Sequence, residues 1–238
     1  MNIILFDRMP RDNMIEASDF RAEHIRKVLH LEVGDTLRLG VLNGQSGTAT
    51  ILAMDEAGIH YSWQPEEHPD ALHPVTLLVA QVRPICMKRI LREAVSFGVE
   101  ELIVVGTDTG ERSYAEAKLW STGEYRKYLL DGAMQSGCTG FPPLRLVKSV
   151  DEFIGETERW PTRLLLDNQM QSSPLSRLGK VDAPVLVAVG PERGWSDRER
   201  LLFASHAFVS KTMGNRILRT ETACSAALAI LLGRMELI

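Results

Sequence analysis

The residues of this chain best suited to chemistry form one short run near its C-terminal end. Asn215, Arg216, Arg219, Thr220, Glu221 and Thr222 lead into residues 223–234, where Ala223, Ser225, Ala226, Ala227 and Ala229 alternate with Leu228, Ile230, Leu231 and Leu232. Small residues let a second backbone approach closely, so this helix is expected to be buried on more than one face. Polar groups at the start of a buried helix cost free energy unless each has a partner. An arginine there can balance negative charge developing on a bound group. A carboxylate can take a proton, or anchor a loop by accepting backbone N–H bonds. Two upstream loops have a matching character, Leu166-Asp167-Asn168 and Gly190-Pro191-Glu192. Glycine at 190 and 214 permits tight turns and close backbone approach, and Pro191 stiffens its loop.

The elements that must position these loops alternate in type. Residues 75–81, 101–105, 163–166, 184–189 and 208–210 read as strands. Residues 88–97, 115–134 and 196–205 read as helices, and Ser196 and Glu199 in the last have capping-box spacing. Such alternation predicts a mostly parallel sheet with helices on both faces. Ligands of open parallel sheets lie beyond the carboxyl ends of the strands, where all three loops fall. Residues 1–72 differ. Short strands at 3–6, 36–39, 48–54 and 59–63, a small helix over 19–29, and turns at Asn43-Gly44 and Ala57-Gly58 predict a compact β-barrel. The Pro-rich, charged stretch 64–74 reads as the linker between a first domain, 1–72, and a second, 73–238.

Composition narrows the function classes. The chain has 238 residues, 45% of them hydrophobic and 24% charged, as in ordinary globular proteins. No apolar run reaches the roughly 20 residues that span a membrane, and MNIILFDRMP has no basic leader, so a cytoplasmic protein is expected. Cys86, Cys138 and Cys224 are odd in number and widely spaced, and His24 and His30 are six apart, so neither a metal site nor a disulfide framework is expected. No GxGxxG and no GxxxxGK[ST] occurs, which removes the dinucleotide fingerprint and the P-loop. Net charge is −4, unevenly spread: residues 1–72 hold 6 Lys/Arg against 12 Asp/Glu, and residues 73–238 hold 21 against 19. A sticky, general nucleic-acid binder is excluded; recognition of RNA would need local patches, shape or a pre-assembled target.

Three segments resemble one family. Met213-Gly214-Asn215-Arg216-Ile217-Leu218-Arg219-Thr220-Glu221-Thr222-Ala223 is similar to the C-terminal signature of the RsmE methyltransferases of the SPOUT superfamily. Val189-Gly190-Pro191-Glu192-Arg193-Gly194-Trp195-Ser196 resembles their Gly-Pro-Glu-Gly-Gly-Phe/Trp-Ser loop, and His24-Ile25-Arg26-Lys27-Val28-Leu29-His30-Leu31 with Gly34-Asp35 resembles an N-terminal motif. The resemblance implies an α/β fold: a SPOUT trefoil-knot methyltransferase domain behind a small PUA-like, RNA-binding β-barrel. It implies S-adenosylmethionine as cofactor, N3 of a uridine in 16S ribosomal RNA on the small subunit as acceptor, and a homodimer. Arg219 and Glu221 are then catalytic, with Glu192 a second candidate base. Leu165, Leu166, Asp167, Gly190, Pro191, Glu192, Gly194, Met213, Gly214, Asn215, Ile217, Leu218, Thr222 and Ala223 hold the cofactor, and Arg26, Lys27, Arg193 and Arg216 meet RNA. The chain departs from the family at Met134 and Cys138, where Glu and Arg are usual, at Arg193, where Gly is usual, at Ser96-Phe97-Gly98-Val99, where Glu-Leu-Gly-Val is usual, and over Arg83–Lys88, where a Lys-Gly-Asp-Lys-like run is usual. These departures fall mainly on positions expected to face RNA. Methylation at another rRNA or tRNA site, and a non-catalytic RNA- or ribosome-binding role, both stay open at this point.

Overall fold

The structure, a computed structural model, describes residues 3–66 and 71–238. Their elements are β1 (Ile4–Phe6), β2 (Met14–Glu16), α1 (Phe20–Lys27), β3 (Thr36–Val41), β4 (Ser46–Met54), β5 (Gly58–Pro65), β6 (His73–Ala80), α2 (Pro84–Ser96), β7 (Val99–Val105), α3 (Lys118–Ser121), α4 (Tyr125–Ser136), β8 (Leu144–Val147), α5 (Val150–Ile154), β9 (Thr162–Leu166), β10 (Val185–Val189), α6 (Asp197–Ser205), β11 (Val209–Lys211) and α7 (Thr220–Arg234). None of these helices is long and apolar enough to cross a membrane.

The chain divides into two compact units, residues 1–71 with 133–141, and residues 72–132 with 142–238. In the first, five strands in the order β1-β3-β4-β5-β2 form a curled mixed sheet in which only β1 and β3 are parallel. Ile4, Phe6, Ile25, Leu39, Ile51, Ile59 and Tyr61 fill its core. Asp19 caps α1 by accepting from the Arg21 N–H at 2.8 Å. Residues 133–141 return to this unit: the Ile3 N–H donates to the Met134 carbonyl, and Asn43 and Phe141 exchange side-chain and main-chain bonds at 3.1 and 2.7 Å.

The second unit is a six-stranded sheet in the order β11-β9-β10-β6-β7-β8, and every pairing in it is parallel. β6 and β10 sit at its centre and are buried along most of their length, which is why they read as Val, Leu and Ala runs, broken in the buried part of β6 only by Thr76. Trp160, Trp195, Phe203 and Phe208 pack with Phe153 under the sheet.

Several expectations needed correction. The single helix predicted over 115–134 is two, because Gly123 takes a left-handed φ of 74° and the Thr122 N–H and Oγ1 both turn back to the Lys118 carbonyl. α2 starts four residues earlier than predicted, with Pro84 in its first turn, where a missing N–H costs nothing. The predicted linker 64–74 is shorter, since β5 runs to Pro65 and β6 starts at His73; residues 67–70 lie outside the described residues. Strands β2 and β8 and helix α5 carry too short a pattern to be read from sequence. Finally, α7 is buried on one face, through Thr220, Glu221, Cys224, Ala227, Leu228, Leu231 and Leu232. Its Ala223, Ala226, Ala229 and Ile230 remain half-exposed, because α2 and the sheet cover only one side.

Candidate active site

A cleft of about 820 Å³ opens in the second unit. The loops that follow β9, β10 and β11 line it, together with the first turns of α2 and α7. Register explains the convergence. β10 pairs with β9 so that Val189 lies opposite Leu166, and β11 pairs with β9 so that Lys211 lies opposite Leu166. All three strands therefore end level, and their loops leave at the same edge.

Each loop is pinned by a buried bond. Asp167, whose side chain is 2% exposed, accepts at Oδ1 from the Gln169 and Met170 N–H groups and at Oδ2 from Arg200 Nε at 2.7 Å. Trp195 Nε1 donates to the Leu166 carbonyl at 3.2 Å, so the second loop is tied to the end of the first. A Cβ on residue 190 would meet the Trp195 indole at 3.1–3.3 Å, so glycine is what lets this loop fold flat on the ring. Thr220 Oγ1, at the start of α7, reaches the Gly190 carbonyl at 3.3 Å. The loop after β7 braces the far end: Thr109 Oγ1 donates to the Gly194 carbonyl at 2.6 Å, and the Asp108 N–H donates to Glu199 Oε1 at 2.9 Å. The capping box of α6 forms as predicted, Ser196 N–H to Glu199 Oε2 and Glu199 N–H to Ser196 Oγ.

Glu221 is buried in the first turn of α7, where the helix dipole favours a negative charge. Arg89 Nη1 lies 3.8 Å from its carboxylate. Burial, followed by the Glu221 charge and a hydrogen bond to it, pushes the Cys86 thiol up, so this group stays neutral and a donor. At the mouth, Arg193, Arg216 and Arg219 are exposed, and among the described residues their guanidinium groups have no hydrogen-bond or ion-pair partner. The main-chain N–H groups of Met213, Ile217 and Leu218 likewise have no protein partner among the described residues.

Of the residues expected to hold a cofactor, Leu166, Asp167, Gly190, Pro191, Glu192, Gly194, Met213, Gly214, Ile217, Leu218 and Ala223 line the cleft, as do Arg219 and Glu221. Leu165 does not: strand alternation turns it into the core beneath the sheet, 2% exposed. Asn215 and Thr222 are exposed and stand outside the lining. Arg193 and Arg216 border the cleft. Arg26 and Lys27 lie in the first unit and are engaged there, Arg26 with the Asp55 and Gly58 carbonyls at 2.8 and 2.9 Å and Lys27 with Glu23 at 2.9 Å. Met134, expected at an RNA-facing position, is buried at 3% exposure. Sequence reasoning missed the α2 wall, Arg83, Ile85, Cys86 and Arg89. The available signal was that α2 follows β6, whose carboxyl end lies at the same edge.

The comparisons agree with this geometry. Residues 68–232 match the RNA methyltransferase domain family. The "Ribosomal RNA small subunit methyltransferase E" of Treponema pallidum (strain Nichols) is 34% identical over 98% of this chain and 91% of its own. "Ribosomal RNA small subunit methyltransferase E 1" of Borreliella burgdorferi is 29% identical over 95% of each. Among solved structures, the Neisseria gonorrhoeae ribosomal RNA small subunit methyltransferase E, bound to S-adenosyl methionine, superposes with a TM-score of 0.80 at 20% identity over 98% of this chain and 97% of its own. A probable rRNA-methyltransferase from Porphyromonas gingivalis gives 0.82 at 23% over 99% of each. These two likenesses establish the fold, and the sequence relatives establish the lineage: the chain belongs to the ribosomal RNA small subunit methyltransferase E family.

Proposed function

We propose that this enzyme transfers the methyl group of S-adenosylmethionine to N3 of a specific uridine in 16S ribosomal RNA, acting on the assembled small subunit. One observation carries the reading: three arginines without a partner among the described residues, Arg193, Arg216 and Arg219, line a cleft that also contains the buried Glu221. Family membership supplies the reaction class. A net charge of −4 cannot draw in RNA by bulk attraction, so a local arginine cluster facing a pre-shaped target suits this chain.

The residues fit the cofactor. A cleft of about 820 Å³ is of the size that takes small molecules. The N–H groups of Met213, Ile217 and Leu218, without a partner among the described residues, suit an adenine edge, and the absence of a side chain at 190 keeps the Leu166–Trp195 contact intact beside it. When bound, S-adenosylmethionine supplies a methyl group on a positively charged sulfur. The lining loops orient it, and much of the rate gain comes from holding N3 in line with the methyl carbon. The new N3–carbon bond forms as the carbon–sulfur bond breaks, and the imide proton of N3 leaves to a base. We assign Arg219 to balance the charge that spreads onto the uracil carbonyls. Three carboxylates line the cleft: Asp167 is taken up by Arg200 and two main-chain N–H groups, which leaves Glu192 and Glu221 as candidate bases, and Glu221, held by Arg89 and Cys86, is assigned to the catalytic centre, where it also fixes α7 against α2.

We further infer that the three loops form a trefoil knot around the start of α7, that the first unit is a PUA-like RNA-binding domain, and that the enzyme works as a cytoplasmic homodimer. The curled mixed sheet supports the second inference. The third is supported by Ile217, 85% exposed, and by the half-exposed Ala223, Ala226, Ala229 and Ile230, apolar surface that a second copy would cover. The test is methyl transfer from labelled cofactor to purified small subunits and to naked 16S RNA, with the modified nucleoside identified. N3-methyluridine on subunits is expected. A different methylated nucleoside, or no transfer by protein that binds cofactor, overturns the substrate assignment.

A further inference from the structure

The six Lys and Arg of residues 1–72 are not equivalent. Arg21 is held by Asp19 and the Leu5 carbonyl, Arg26 by the Asp55 and Gly58 carbonyls, Lys27 by Glu23, and Arg38 by Glu66 and the Gly137 carbonyl. Arg8 and Arg11 are exposed and, among the described residues, have no partner. Both stand on the segment joining β1 to β2. There Asp12 and Asn13 hold φ of 56° and 51°, two successive non-glycine residues in the left-handed region, a costly conformation that tends to persist where function requires it. The same segment walls a cleft of about 440 Å³ whose lining includes Phe6, Asp7, Arg8, Ile15, Asp19 and Arg21. Phe20 and Arg11 stand outside this lining, next in sequence to its members Asp19, Arg21 and Pro10; Phe20 is 58% exposed, and the Arg21 guanidinium lies 4.7 Å from the Phe20 ring and 4.5 Å from that of Phe6.

We propose that this cleft receives one unpaired nucleotide of an RNA strand, its base stacked on the Phe20–Arg21 surface and its phosphate held by Arg8 and Arg11. The inference rests on the RNA reading above and names the contact within the first unit. An aromatic ring and a guanidinium plane suit a base face, and free guanidinium groups suit phosphate oxygens. Asp7, Glu16 and Asp19 line the same cleft; their carboxylates repel a phosphate and accept N–H donors from a base edge, so the base enters the cleft and the phosphate stays with Arg8 and Arg11 on the β1–β2 segment. A base paired in a duplex offers no free face, so the occupant is single-stranded.

The test uses the full chain with Arg8→Ala/Arg11→Ala together, and Phe20→Ala separately. Binding to purified small subunits is measured across a salt series, with single-stranded and duplex oligoribonucleotides as competitors. The arginine pair should lose roughly tenfold in affinity, with a salt slope shallower by about 1 to 2. Phe20→Ala should lose roughly tenfold with the slope unchanged. Cofactor affinity and melting temperature should match the parent in both, and single strands should compete better than duplex. Parent-like affinity and slope in both folded variants, or duplex competing as well as single strand, overturns the proposal. Methyl transfer by the parent enzyme reports on the catalytic reading separately: transfer with unchanged variant binding removes this site and leaves that reading standing.

Discussion

Arg200 Nε sits 2.7 Å from the Asp167 carboxylate, and the two side chains are 11% and 2% exposed. This pair holds the loop after β9, because the other carboxylate oxygen accepts from Gln169 and Met170 N–H groups. Asp167→Ala strands a mostly buried guanidinium whose remaining partner, Asp197, is 98% exposed. The expected cost is about 3–5 kcal/mol, seen as a lower urea midpoint with the slope unchanged. Replacing both residues by apolar ones of similar volume should restore only part of that, since the two N–H groups stay uncapped. Full recovery would show that the loop does not depend on the cap.

Gly190 against Trp195 gives a second test. A methyl group on residue 190 would stand 3.1–3.3 Å from the indole, so the ring must move and stretch its 3.2 Å bond to the Leu166 carbonyl. Gly190→Ala should destabilise the fold by roughly 1–3 kcal/mol and weaken cofactor binding in calorimetric titration, with a change in tryptophan emission. Unaltered cofactor affinity would place the ligand away from this loop.

The parts of the site legible in sequence were those marked by residues with few other uses. Glycine, proline and charged residues following apolar runs pointed to the loops at 166–168, 190–192 and 213–215, and residues of all three line one cleft, Asn215 excepted. The α2 wall was not legible, because the apolar periodicity that marks this helix starts at residue 88, whereas its first turn, opened by Pro84, carries no such pattern. Arg26 was expected to meet RNA; its partners in the structure are carbonyls 29 and 32 residues away, and no local pattern encodes such a contact. Strand types in the second unit followed from unbroken apolar runs, but the order β11-β9-β10-β6-β7-β8 is set by crossovers that periodicity does not record. The return of residues 133–141 to the first unit is hidden for the same reason.

Acid should loosen the brace behind the loop that follows β10. The hydrogen bond from Arg198, then one from Ser196, holds the Asp108 carboxyl below the usual carboxylate range, and Arg198 depresses Asp151 in the same way. Groups with depressed folded values add stability above their unfolded pKa, about 4, and lose it as pH falls through the folded value. The melting-temperature advantage of the parent over Arg198→Ala should therefore be present at neutral pH and shrink below about pH 4. Melts across that range check it; an advantage independent of pH would assign Arg198 to packing alone.

Arg219 decides whether the cleft is catalytic in the manner proposed. It stands at the N-terminal cap of α7, exposed and with its guanidinium unpartnered among the described residues, so its removal leaves no buried charge behind. Stability should therefore change little in Arg219→Ala. A group that meets charge present only in the transition state lowers turnover when removed, without lowering ground-state affinity. The expected result is a fall in kcat of about 10²–10³-fold with cofactor affinity retained, as for loss of one oxyanion donor. Arg219→Lys should recover only part, because an ammonium cannot reproduce the planar fork. A parallel fall in cofactor affinity and turnover would make Arg219 a support of the cofactor loop, and would move the charge-balancing role to Arg193 or Arg216 at the same mouth.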